Sequence, residues 1–329
     1  MLRRAFLSLF AVLALVAPTA AEASPALVFE PYNGTVFYAE DPDVLWFPAS
    51  LTKMMTAYVA FHALRNGEMK PDTPTIVTKK ALQEPPTKLG LPVGTSIPLE
   101  TAIKVIIVKS ANDVAMMVAE TVGGSEEGFV ARMNEAAKRL GMTSTHFANP
   151  NGLPNEEQYT TARDLARLAR ALIIEFPEYA DIFAMTTVNV GNRELRTHNG
   201  LLRTFSGADG MKTGFICDSG FNIVVSATRD GRKLVAVVLG EPSTRVRNIR
   251  AAQLLENGFK RYFWKSLFGT SLNGLAIPAD REDQPAHLRA VICGPGPKTR
   301  QSEVRPEFFR LDAPVTELAE LPALSFPVN

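Results

Sequence analysis

Strand-forming patterns occur at two places far apart in this chain, and helix-forming patterns fill the stretch between them. Ala26-Leu-Val-Phe-Glu30 and Thr35-Val-Phe-Tyr-Ala39 flank Asn33-Gly34, while Phe221–Thr228 and Lys233–Leu239 flank Asp230-Gly231. Both dipeptides supply the positive φ of a tight hairpin turn. Helices are expected over Leu51–Arg65 (stopped by Asn66-Gly67), Leu99–Val108, Asp113–Val122, Ser125–Leu140, and from Thr161-Ala-Arg-Asp164 to about Glu175. A further helix is expected over Ile249–Phe263, and Pro71–Pro98 reads as loop. The simplest fold is α+β: one antiparallel sheet assembled from both ends of the region, covered by helices, with a helical insertion.

The first 23 residues belong to targeting and not to the fold. Arg3 and Arg4 precede the apolar run Ala5–Ala17, and small residues follow, ending in Ala21-Glu22-Ala23. This is the pattern of an export signal cleaved after Ala23. The run is too short to span ~30 Å of hydrocarbon at a helical rise of ~1.5 Å per residue. The mature chain is therefore expected in an exported, periplasmic or cell-envelope compartment, soluble and without a stable membrane anchor. With 35 Lys+Arg against 34 Asp+Glu the chain presents no basic field, so nucleic acid is not an expected partner.

Eight of the 23 prolines fall in residues 271–329, about twice their proportional share, so regular structure is expected to thin out there. The organisation read is a signal peptide at 1–23, a catalytic-type domain at 24–263, and a short proline-rich β-type appendage at 264–329. Within the appendage a short strand is expected over His287–Cys293. Export permits a disulfide between Cys217 and Cys293, the alternative being two separate buried thiols. The four histidines show no ligand spacing, and neither a metal nor a cofactor is expected.

Three short motifs follow in order: Ser50-Leu-Thr-Lys53, Ser110-Ala-Asn112 and Lys212-Thr-Gly214. Each is weak alone, and Ser271-Leu-Asn273 repeats the second as a decoy. Their placement is informative: the first opens a buried helix, the second sits between two helices, and the third immediately precedes a hairpin. A serine at a helix N-terminus usually caps it, yet here Lys53 lies one turn on along the same face, within reach of the hydroxyl. A lysine entering apolar packing is costly as a cation, and burial beside a second cation, Lys212, would lower its pKa and fit it for general-base work.

With these motifs the chain resembles a serine-type D-alanyl-D-alanine carboxypeptidase, a low-molecular-mass penicillin-binding protein of peptidase family S11. The likeness runs from about Pro25 to Phe263 and includes Pro48–Ala57, Ser110–Ala115, His146-Phe-Ala-Asn-Pro-Asn-Gly-Leu153 and Gly207–Gly214. It implies a β-lactamase/DD-peptidase-like fold with a five-stranded antiparallel sheet. It also implies removal of the terminal D-alanine from peptidoglycan stem peptides, with β-lactams as covalent inhibitors. By the same resemblance Ser50 is the nucleophile, Lys53 takes its proton, and the backbone N–H groups of Ser50 and Phe215, the latter beside Gly214, receive the oxyanion. Ser110 relays a proton to the leaving D-alanine, Asn112 binds the acyl amide, Lys212 shapes the field around Ser110, and Thr213 and Arg247 hold the terminal carboxylate. Arg247 matches by its distance from Gly258-Phe259, with Arg245 the alternative two residues away.

Two departures stand out. Only 66 residues follow Phe263, too few for the complete second domain and amphipathic anchor common in the family, and Cys217 places a thiol near the active-site strand. A class A β-lactamase is the nearest rival, but no Glu-x-x-Leu-Asn string lies between Asn112 and Lys212. A D,D-endopeptidase acting on cross-links shares all three motifs. A non-catalytic cell-wall-binding protein would have no need of both Ser50 and Lys53.

Overall fold

The β-prone runs from the two ends of the chain meet in one antiparallel sheet of five strands. The computed structural model describes residues 24–276 and 284–295, so the stretch 1–23 read as an export signal and the chain beyond 295 lie outside the described residues. Strands β1 (Ala26–Phe29) and β2 (Val36–Glu40) form the first hairpin. Two small hairpins stand apart, β3 (Pro74–Ile76) with β4 (Ser96–Pro98) and β5 (Thr187–Val190) with β6 (Arg193–Arg196). Strands β7 (Ala208–Ile216), β8 (Gly220–Arg229) and β9 (Arg232–Glu241) form a meander. The sheet order is β2-β1-β9-β8-β7, closed where Leu27 of β1 stands opposite Val237 of β9. Asp230 and Gly231 both take positive φ, +50° and +72°, as a two-residue turn matched to the strand twist requires.

Both faces of the sheet are covered, which explains why β9 reads as an unbroken apolar run. Leu234, Ala236 and Val238 face one core with Ala251, Ala252 and Leu255, whereas Val235, Val237 and Leu239 face the larger core. Successive side chains point to opposite faces, so two covered faces leave no room for polar alternation. The helices are α1 (Thr52–Arg65), α2 (Lys79–Gln83), α3 (Leu99–Val108), α4 (Asn112–Gly123), α5 (Glu126–Arg139), α6 (Ala162–Glu175), α7 (Ala180–Ala184), α8 (Leu201–Thr204), α9 (Thr244–Lys260), α10 (Tyr262–Phe268) and α11 (Arg289–Cys293). Helix α1 is buried on nearly every side, consistent with its low charge, and a 3-10 turn at Ala49–Leu51 precedes it. Thr161 caps α6 by accepting a hydrogen bond from Asp164 N at 3.1 Å.

The structure departs from the sequence expectation in four places. Residues 71–98 hold the β3–β4 hairpin and α2, whose prolines sit at strand ends where they cost no ladder bond. The third motif precedes the β8–β9 hairpin as expected, but it lies in a strand of its own, β7, which its two glycines and mixed polarity hide. The last helix of the domain begins at Thr244, where Ser243 accepts from Val246 N at 3.2 Å, and it breaks at Arg261 before α10. The strand expected over His287–Cys293 is a short helix, α11. Cys293 is bonded to Cys217 with a Cα–Cα distance of 5.7 Å, and Leu288 N donates to Asp218 O at 3.0 Å, so this segment lies against the β7–β8 turn.

A buried ion pair ties α6 to the segment that follows β2. Arg163 of α6 is 2% exposed and grips Asp43, 4% exposed, through Nε at 2.7 Å and Nη2 at 2.5 Å. The same guanidinium donates to the carbonyls of Leu272, Leu275 and Ala276. Removing one partner strands a charge in the interior, so Arg163→Met should destabilise by about 3–5 kcal/mol. Denaturant titration of Arg163→Met and of the Asp43→Leu/Arg163→Met double variant checks this. The double variant should recover part of the loss, and a single variant as stable as wild type would refute the assignment.

Candidate active site

Ser50 lies in the 3-10 turn that leads into α1, and its side chain caps neither element. The chain enters this turn through Ala49, whose φ of +48° is a strained conformation for a residue with a Cβ. Two glycines let neighbouring backbone close on the turn. A Cβ on Gly152 would fall 1.9 Å from Ala49 O, and one on Gly214 would stand 2.9 Å from Pro48 O and 3.2 Å from Ser50 N. Asn222 fixes the turn from the sheet, donating to Phe47 O at 3.0 Å while accepting from Gly240 N at 2.9 Å.

Lys53 follows one helical turn after Ser50 and is fully buried. Its Nζ lies 3.0 Å from Ser50 Oγ and donates to Asn112 Oδ1 at 2.7 Å and Asn151 O at 2.5 Å. Two acceptors from separate elements, Asn112 Oδ1 and Asn151 O, thus aim the amine at the serine hydroxyl. Burial, then the nearby charge of Lys212, holds the Lys53 pKa well below the usual lysine value; Glu84 and Asp113 oppose this. Glu84 is tied to the site through Asn151 Nδ2 at 2.9 Å, and burial pushes its own pKa up.

Ser110 occupies the break between α3 and α4 with φ +63°, a second strained non-glycine residue at the site. Its Oγ accepts from Lys212 Nζ at 2.9 Å, and Lys212 also donates to Thr213 O at 2.8 Å. Asn112 opens α4, with its amide nitrogen on Pro85 O at 2.9 Å and its oxygen on Lys53. Asp113 accepts from Leu89 N and Gly90 N and so clamps the loop that bears on Asn112.

The remaining residues form a positive wall. Burial, then the charge of Arg247, lowers the Lys212 pKa to about 7. Arg247 is 3% exposed, its hydrogen bonds go to the neutral oxygens of Asn248 and Asn222, and burial lowers its pKa to about 10. Burial, then the charges of Lys212 and Lys109, lower the His198 pKa. Buried cations that meet only neutral oxygens form a receptor for an anion. Thr213 is buried beside Lys212 on β7, and Phe215 is exposed, its ring 4.2 Å from that of Phe221.

All three motifs therefore converge, with Arg247 beside the third, and Ser271-Leu-Asn273 sits elsewhere, against α6. Sequence reasoning missed Asn151, Glu84, Gly152 and Asn222. The run Asn149-Pro-Asn-Gly152 was the available signal for two of them, but a carbonyl acting as acceptor leaves no mark in residue type.

The family model described as D-alanyl-D-alanine carboxypeptidase matches residues 13–243. The chain is 32% identical over 309 residues to D-alanyl-D-alanine carboxypeptidase DacA of Haemophilus influenzae, covering 90% of this chain and 78% of that one. Against a second relative, DacF of Bacillus subtilis, it spans 63% of the relative's length. Among solved structures it superposes on penicillin binding protein 5 from Haemophilus influenzae with a TM-score of 0.70 at 32% identity, over 74% of this chain and 73% of that chain.

The buried Lys212 ties stability to pH. Unfolded, it keeps its proton up to the ordinary 10.5; folded, it releases it near 7, so the wild type gains stability as pH rises from 7 toward 10.5. Lys212→Met should raise the melting temperature most below pH 7, with a smaller gain at higher pH. Calorimetry at about pH 5.5 and about pH 9 reads this directly, and an equal gain at both values would contradict a depressed Lys212.

Proposed function

The chain belongs to the D-alanyl-D-alanine carboxypeptidase family, and from that premise we propose that it removes the terminal D-alanine from peptidoglycan stem peptides through a Ser50 acyl-enzyme. The observation that carries this reading is the fully buried Lys53 amine 3.0 Å from Ser50 Oγ. An amine kept neutral by burial and a neighbouring cation is a base able to take the serine proton near neutral pH.

The substrate's free carboxylate enters the positive wall of Lys212, Thr213 and Arg247, which sets the scissile carbonyl over Ser50. Ser50 Oγ attacks as its proton passes to Lys53. The negative charge on the carbonyl oxygen is met by the backbone N–H groups of Ser50 and Phe215. The C–N bond then breaks, and D-alanine leaves as its amine with a proton delivered through Ser110, whose hydroxyl Lys212 holds. Asn112 binds the acyl amide. Water completes the cycle by attacking the ester, with Lys53 again taking a proton. A β-lactam follows the same first step, but its leaving nitrogen stays tethered.

The substrate class and the pattern of residues 1–23 together support action outside the cytoplasm. No helix among the described residues is long and apolar enough to cross a membrane. A fluorescent penicillin should label wild type covalently and leave Ser50→Ala unlabelled, and wild type should release D-alanine from a stem pentapeptide. Lys53→Ala should slow labelling by about 100- to 10,000-fold. The pH profile of labelling should rise on the acid side with an inflection below the ordinary lysine value. Lys212→Ala removes a repelling cation, raises the Lys53 pKa, and should move that limb to higher pH. Absence of label on wild type defeats the acyl-enzyme, and cleavage of cross-linked dimers into monomers with no D-alanine released from the pentapeptide would make the enzyme an endopeptidase.

A further inference from the structure

A groove of about 600 Å³ lies beside the described site, lined in part by Pro154, Glu156, Asp218, His287, Arg289 and Cys293. One wall comes from the loop that carries Asn151 and Gly152, the residues that touch Lys53 and the Ser50 turn. The other is the segment bonded to Cys217, and three of these residues, His287, Arg289 and Cys293, lie beyond the family match at 13–243. The groove is linked to the segment that leads into the nucleophile turn: the His287 ring stands 5.0 Å from that of Phe47, three residues before Ser50.

Its direction follows from the site. The carboxylate wall sits at Lys212 and Thr213, the Ser50 turn rests on Gly214, and Asp218 lies four residues further along the chain. A substrate whose leaving end is at Thr213 must send its acyl side the other way, toward Phe215 and then Asp218. Its polar lining is of mixed charge. Asp218 holds Arg289 through Nε at 3.1 Å and Nη2 at 2.5 Å, with the Arg289 side chain 60% exposed. Glu156 is 77% exposed, with its carboxylate 3.4 Å from His287 Nε2.

We propose that this groove is the subsite for the residue preceding the penultimate D-alanine, and that it selects a side chain bearing both a free ammonium and a carboxylate. In a stem peptide that position holds a diamino acid. The exposed Glu156 carboxylate meets the ammonium, and Arg289, held in place by Asp218, presents its free edge to the carboxylate. The Cys217–Cys293 bond keeps the Arg289 wall against the end of β7. The assignment rests on the carboxypeptidase reading and adds to it a choice among stem peptides.

The test compares D-alanine release by the full chain from three peptides that differ only at this position: meso-diaminopimelate, lysine and Nε-acetyl-lysine. Wild type should prefer them in that order, by about fivefold in kcat/KM at each step, the size of a partly exposed charge pair. Glu156→Gln should erase the step between lysine and acetyl-lysine. Arg289→Gln should erase the step between diaminopimelate and lysine. Ratios within one variant separate selectivity from a general loss of activity. Equal wild-type rates on all three peptides overturn this proposal alone, as do variants that keep both steps. No release from any peptide overturns the carboxypeptidase reading and this proposal with it.

Discussion

One amine and its three oxygen partners hold the site together. Lys53 Nζ ties the Ser50 turn, the first residue of α4 and the loop at Asn151 to a single point inside the protein. A charged ammonium there would be expensive, and a neutral amine that donates to Asn112 Oδ1 and Asn151 O and turns its lone pair to the Ser50 hydroxyl is tolerable, so the arrangement that orders the interior also prepares the base. Structure and chemistry are the same constraint here. The surrounding cations strengthen it, because each lowers the proton affinity of its neighbour without supplying a counter-ion.

The sheet serves this point from the outside. Its edge strand β7 brings Lys212, Thr213 and Gly214 past the serine turn, and the two glycines at 152 and 214 allow backbone to approach backbone where any side chain would intervene. Strain collects in the same region: Ala49 and Ser110 both take positive φ among the described residues. Residues held this way persist because packing on several sides determines their position. For the serine turn, β7, β8 and α1 provide that packing.

Much of this was legible in residue order. The i, i+3 spacing of Ser50 and Lys53 placed them on one helix face, and Asp230-Gly231 marked the hairpin that anchors the sheet. The hidden parts share a physical cause. Strand β7 lacks the alternation of a strand because its glycines serve close approach and its buried polar residues Lys212 and Thr213 serve the site. The β3–β4 hairpin hides behind prolines placed at its ends. Segment 287–293 has the apolar character of a strand, yet it finds no sheet edge and is set by a disulfide and an ion pair with Asp218. Asn151 contributes a carbonyl, which every residue possesses.

Arg163 offers a different kind of lesson. Apart from Asp43, everything it holds in the segment after α10 is backbone: the carbonyls of Leu272, Leu275 and Ala276. A guanidinium that binds main-chain oxygens is indifferent to the side chains attached to them. The attachment of this segment is therefore portable: its surface can drift in sequence, or be rewritten, while the same buried arginine continues to hold it.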